Sequence, residues 1–269
     1  MMRGLWTAAT GMTAQERSLD VIANNLANVN TTGFKHSRTH FQDLLYANLR
    51  PAGAETAETG TQVPVGIQLG HGVKVVSVNK EFSQGSAVPT SEAPFNVDLM
   101  VNGQGFFQIE LPNGDTAYTR DGSFQINKDG NIVTADGYPL KGGAVGINPA
   151  LHTRITIEAG GSVGFSINGA PGFLANQGQI ELARFVNPAG LTAIGNNLFV
   201  ESVSSGTPQV SKPDTEGAGS LRQHVLEQSN VNMVTEMVDM IATQRAYEIG
   251  TKAIQTADNM LSQVAQLKR

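Results

Sequence analysis

Both ends of this chain place an apolar residue at every seventh position, and two such stripes leave few ways to fold. Near the N-terminus Leu5, Met12, Leu19 and Leu26 recur at seven-residue intervals, with Ala8, Gln15, Ile22 and Val29 as a second row. Near the C-terminus Met233, Met240, Tyr247, Ile254 and Leu261 do the same. A seven-residue apolar repeat is the period of a helix lying along another helix, although an ordinary core-facing helix shows it over a short run. The second run predicts a helix from about Asn232 to Leu267, roughly 50 Å long at 1.5 Å per residue. That exceeds the needs of one globular core and argues for a coiled coil or bundle. The two terminal helices are expected to pair, since each has a stripe to bury.

The middle of the chain has a different period. The stretch FNVDLMVNGQGFFQIELPNGDTAYTRDGSFQINKDGNIVTADGYPL alternates apolar and polar residues between Asn113-Gly114, Asp121-Gly122, Asp129-Gly130 and Asp136-Gly137. Asn-Gly and Asp-Gly favour two-residue hairpin turns because both positions tolerate positive φ. RITIEA, VGFSIN, QIELARFV and NLFVES read as further strands. The stretch Ala47–Gly72 is rich in glycine, alanine and proline and by composition reads as a linker; Ser202–Ser220 is loop-like too. The expected class is α+β, with a discontinuous domain of terminal coiled-coil helices plus an all-β domain, joined by an extended region. The expected boundaries are 1–35 for the first helix, 36–93 for the connecting region with its Pro/Gly-bearing insertion, 94–223 for the β domain and 224–269 for the last helix.

Composition excludes several chemistries. A net charge of −5 supplies no basic field for nucleic acid. With no cysteine there is neither thiolate chemistry nor a zinc-thiolate site. No apolar run approaches membrane-spanning length, so direct membrane insertion is not expected. The segment MMRGLWTAATGMTAQERSLD lacks the apolar centre of a cleavable signal. Among the five histidines, His36 and His40 have the i, i+4 spacing that could hold a metal on a helix, but no carboxylate motif accompanies them. GQGFF lacks the rest of a dinucleotide fingerprint, and NKDGN lacks the remaining ligands of a calcium loop. No metal, cofactor or catalytic residue is expected. Phe106, Phe107 and Tyr118 could form a sugar-stacking platform in a cell-wall glycan-binding module, although alternating aromatics more often form core.

Three stretches together resemble one family. They are NNLANVNTTGFK after an amphipathic helix, GQGFFQI with YTRDGSFQINKDGNIVTADGYPL, and LEQSNVNMVTEMVDMIATQRAYEIGTKAIQTADNMLSQV. They stand in the order found in the rod, hook and hook-associated axial proteins of the bacterial flagellum, and cover nearly the whole chain. The length and the stretch LLYANLRPAGAETAETGTQVPVGIQLGHGVKV are similar to the family's distal-rod members. A proximal-rod or hook-type member is the alternative.

The resemblance implies a non-enzymatic subunit of a helical homopolymer, a straight hollow drive shaft that spans the periplasm. It implies contacts with proximal rod proteins, the hook protein, the peptidoglycan-layer and outer-membrane bushing rings, the export apparatus and a rod cap, and export without a cleavable signal. Leu5, Met12, Leu19, Ile22, Leu26, Met233, Met240, Tyr247, Ile254 and Leu261 are then expected to form a buried helical layer at subunit contacts. Asn24, Asn25 and Asn28 are expected on a polar face that meets other subunits, with Gly33 turning the chain out of the helix and Phe34 anchoring its exit. Leu49, Pro51, Gly53, Gly60, Pro64 and Gly66 mark the insertion, expected to order against neighbours and keep the shaft straight.

Overall fold

The computed structural model describes residues 2–53, 64–91, 96–144, 152–167 and 170–267. The terminal stripes become helices α1 (Met2–Ala27) and α2 (Met233–Leu267). Asn232 caps α2: its side-chain oxygen accepts the backbone N–H groups of Val234 and Thr235 at 3.0 and 3.3 Å, satisfying donors that a helix start leaves open. Among the described residues neither helix is long and apolar enough to cross a membrane.

The chain divides into two units. The first comprises α1, residues 37–79 and α2. Its strands are β1 (Ser37–Asp43), β2 (Tyr46–Arg50), β3 (Ile67–Gly70) and β4 (Val73–Lys80, the last residue counting with the second unit). β1 pairs with β4, and β2 with β3, Asn48 opposite Gln68. The expected connecting region 36–93 is thus not a free linker. Its first part pairs with itself beside the helices, and its last part belongs to the second unit.

That second unit comprises residues 28–36 and 80–231. It opens with β5 (Ala87–Pro89), β6 (Val97–Asn102), β7 (Phe106–Glu110) and β8 (Thr116–Thr119). β9 (Ser123–Ile126), β10 (Asn131–Val133) and β11 (Pro139–Ala144) follow. Then come β12 (His152–Ile157), β13 (Ser162–Ile167), β14 (Ala170–Gln179) and β15 (Leu182–Arg184). β16 (Thr192–Gly195), β17 (Leu198–Val200), β18 (Gln209–Ser211), β19 (Ser220–Gln223) and β20 (Val225–Glu227) complete it. The main sheet runs β16-β17-β8-β7-β11-β10-β9-β6-β19, with β15 and β18 branching from β7, while β12-β13-β14 form a separate antiparallel meander. β20 pairs with β5, so the segment expected to begin the last helix at 224 starts with a strand.

Adjacent phenylalanines show why β7 sits centrally. Side chains on a strand alternate between faces. Phe107 joins Leu99, Ile109, Ile132 and Leu182 in one core. Phe106 turns the other way, to Tyr118, Phe185, Leu191 and Phe199. With Phe106, Phe107 and Tyr118 all buried, none can serve as an exposed platform for a sugar.

Three of the four glycine turns close hairpins. Gly114, Gly130 and Gly137 have positive φ and connect β7–β8, β9–β10 and β10–β11. In NKDGN the Asn127 carboxamide oxygen accepts the N–H groups of Asp129 and Asn131 at 2.9 Å, which makes it an Asx-type turn. Asp121-Gly122 departs from expectation, because β8 and β9 do not pair with each other. Here the chain crosses over, and glycine is needed for room: a Cβ on Gly122 would lie 1.6 Å from the Leu99 carbonyl oxygen. Gly122→Ala is therefore expected to lower stability by about 3 kcal/mol, a backbone clash that cannot relax cheaply. Urea unfolding followed by the β signal reads this directly.

Candidate assembly surface

The helical unit pairs α1 and α2 antiparallel. Asn25 meets Glu236 at one end, and Met12 lies against Gly250 further along. Ile22 is buried, while Leu5, Met12, Leu19, Leu26, Met240, Ile254 and Leu261 are half-buried. Two expected members of the buried layer are not buried in the protomer. Met233 is 46% exposed because α1 has ended at Ala27, and Tyr247 is 42% exposed at the edge of a cavity of about 320 Å³ that it shares with Gln15, Leu19 and Thr243.

A row that apolar periodicity misses completes the seam. Glu236, Thr243, Gly250 and Ala257 also recur every seventh residue, and the first two are buried. Gly250 carries no side chain because Met12 occupies the space: an added Cβ would sit 2.7 Å from Met12 Cγ. Glycine within a helix costs about 1 kcal/mol relative to alanine, which the close approach offsets. The only signal in the sequence was the seven-residue spacing of small and polar residues.

Asn25 departs from its expected place on an intersubunit face. It is 1% exposed. Its amide donates to the Ser37 carbonyl at 2.8 Å and to a Glu236 carboxylate oxygen at 3.2 Å, and its oxygen accepts the Ser37 N–H at 2.9 Å. It thereby fastens α1 to α2 and to the start of β1. Only a carboxamide both donates and accepts in this way without introducing charge. Asn24 is exposed, and Asn28 is half-buried and accepts the Thr31 hydroxyl at 3.2 Å.

After α1 the chain enters the β unit. Gly33 has φ +67°, and a Cβ there would lie 2.6 Å from the Asp121 backbone nitrogen, so the position demands glycine on both counts. Its N–H donates to the Glu227 carbonyl at 2.8 Å. Phe34 is buried, with the Lys80 ammonium 5.0 Å from its ring centre.

Lys35 is a buried charge that composition does not reveal. Its ammonium, with no exposed side-chain surface, donates to Glu227 Oε1 at 2.6 Å and to the Ser83 carbonyl at 2.7 Å. Glu227 Oε1 also accepts the Gly85 N–H at 2.9 Å, and its other oxygen lies 3.6 Å from the Arg120 guanidinium. Burial pushes Lys35 below the ordinary lysine range, while the Glu227 carboxylate pulls it back upward. Arg120 donates to the carbonyls of Gly103 and Val101.

Apolar surface stays uncovered in the helical unit. On α2, Val234, Met237, Val238, Ile241 and Ile249 are exposed. In the insertion, β2 and β3 form a ladder with Leu49, Pro51, Gly53 and Pro64 exposed and Gly66 against Arg50, where a Cβ would lie 2.5 Å from the Arg50 carbonyl oxygen. Gly60 lies outside the described residues. His36 and His40 stand on and just before β1, so their i, i+4 spacing does not fall on a helix.

Long helices at both ends of the sequence with a β unit between them in chain order are the arrangement expected of a flagellar axial protein. Three family descriptions match this chain: "Flagella basal body rod protein" over residues 5–35, "Flagellar hook protein FlgE/F/G D1 domain" over residues 100–165 and "Flagellar basal body rod FlgEFG protein C-terminal" over residues 222–267. The chain is 48% identical to the flagellar basal-body rod protein FlgG of Borreliella burgdorferi and 37% identical to that of Bacillus subtilis, each over the whole of both chains. The flagellar hook-basal body complex protein FlhP of Bacillus subtilis is 27% identical over the same extent. The chain belongs to the flagellar basal-body rod protein family, and it is a structural subunit of the rod.

Removing one partner of a buried ion pair strands the other, at a cost of about 3–5 kcal/mol. Lys35→Met is expected to lose that much in chemical denaturation, and Glu227→Gln in the same chain to recover part of it.

Proposed function

We propose that this chain polymerises into the distal segment of the flagellar rod, a straight hollow shaft that transmits torque to the hook and carries exported subunits. The observation that carries this is the second apolar face of α2. One face already packs on α1, yet Val234, Met237, Val238 and Ile241 remain exposed at i, i+3, i+4 and i+7. Soluble monomers rarely expose so continuous an apolar stripe. Burying it against neighbours gives the helices stability that an isolated antiparallel pair gains only in part.

The chain reaches the shaft through the export apparatus and works in the periplasm-spanning rod. It acts without catalysis, metal or cofactor. Its partners are further copies of itself, the proximal rod proteins, the hook protein, the peptidoglycan-layer and outer-membrane rings, the export apparatus and a rod cap. The insertion keeps the shaft straight. Its paired arms expose Leu45, Leu49, Val65 and Ile67, apolar area that suits a packed subunit contact.

Electron microscopy of the concentrated protein is expected to show tubes of uniform diameter; monodisperse monomer at every concentration would refute the proposal. Leu19 lies in the seam between the helices. Leu19→Asp is expected to abolish the tubes while circular dichroism still reports a folded β unit. Deleting residues 51–66 is expected to give curved or flexible tubes, and straight tubes after the deletion would remove the straightening role.

A further inference from the structure

Trp6 is the one tryptophan of the chain and stands 67% exposed. It lies between two cavities of about 380 and 360 Å³, both formed by α1 with the β3–β4 segment. Ala9, Thr13 and Ala14 form a shallow floor beside the indole, while Leu69, Val73 and Val75 supply apolar walls. Small residues on a helix let another element approach closely, and an exposed indole at the centre of a groove is a typical interface anchor. We propose that this groove receives a second copy of the chain in a head-to-tail contact, and that the outer face of α2 is what enters it.

Charge, length and geometry select that occupant. The formal charges lining the groove, Arg3, Arg17 and Lys74, are all basic, whereas the chain carries −5 overall. The remaining surface of another copy is therefore acidic and complementary. From Val234 to Ile249 the exposed acids Asp239 and Glu248 outnumber the single base, Arg245. The groove follows α1 from Arg3 to Arg17, and the stripe follows α2 from Val234 to Ile249, so both run roughly 20 Å at 1.5 Å per residue. The stripe cannot enter its own groove, because α2 already meets α1 through the opposite row of Glu236, Thr243 and Gly250. The groove and the stripe are different patches, so the contact repeats without closing on itself and extends into a polymer.

This contact rests on the self-assembly proposed above, and the experiment separates the two. Trp6 emission from the full chain is recorded before and after tube formation, with iodide as quencher. A blue shift and a severalfold loss of quenching are expected in the tubes. Tubes in which Trp6 is quenched as in the monomer overturn the groove contact while leaving self-assembly intact; failure to form tubes under any condition overturns both. The absence of native cysteine permits a second measurement. The double variant Thr13→Cys/Ile241→Cys, oxidised in the assembled state, is expected to give a ladder of disulfide-linked oligomers, with each single variant staying unlinked. Intact tubes of the double variant with no ladder overturn the placement of the stripe in the groove.

Discussion

A lysine ammonium and a glutamate carboxylate, both withdrawn from water, close the β unit of this protein. Lys35 arrives from the segment that follows α1, and Glu227 from the strand that precedes α2. Taking two such charges out of water costs several kcal/mol each, and their attraction offsets this only when further hydrogen bonds complete the shell. Ser83, Gly85 and Arg120 complete most of it. The β unit is therefore assembled from both sides of its sequence and needs residues 28–36 as well as 80–231. A buried pair tolerates few alternative arrangements, so the β unit is complete only once the N-terminal exit segment has docked.

The helical unit uses the same economy with a neutral group. Asn25 joins α1, α2 and the backbone of Ser37 through one carboxamide, where a charged residue would have needed a counter-ion. The seam beside it is half apolar and half small or polar, which keeps the intrachain pairing modest and leaves apolar surface for neighbours. A helix with one buried face and a second exposed one is wasteful in a monomer and economical in a polymer. Its free energy depends on how many copies surround it.

Much of this was legible in advance because it depends on local period. The heptads place α2 within a residue or two at both ends, whereas α1 stops at Ala27, short of the 35 expected for the first helix. Hairpins at Gly114, Gly130 and Gly137 followed from turn chemistry, which is decided by adjacent residues. Gly33 was legible as a positive-φ position for the same reason. The misplaced features are those that depend on distant partners. Asp121-Gly122 has the composition of a hairpin, but Leu99 occupies the space beside it. Asn25 looked like its neighbours Asn24 and Asn28, and only the return of α2 and β1 distinguishes it. Met233 continues the stripe in sequence, but α1 has already ended opposite it.

Spacing over a few residues is enough to foretell the two helices, the alternation that builds the β unit and the family likeness. Which charges are buried together, which glycines are required for room and which apolar face of α2 is left outside emerge with the packed fold. Those outcomes turn on what lies across a packed contact from residues far away in the chain. Lys35 and Glu227 are ordinary letters 192 positions apart until the fold removes the water between them.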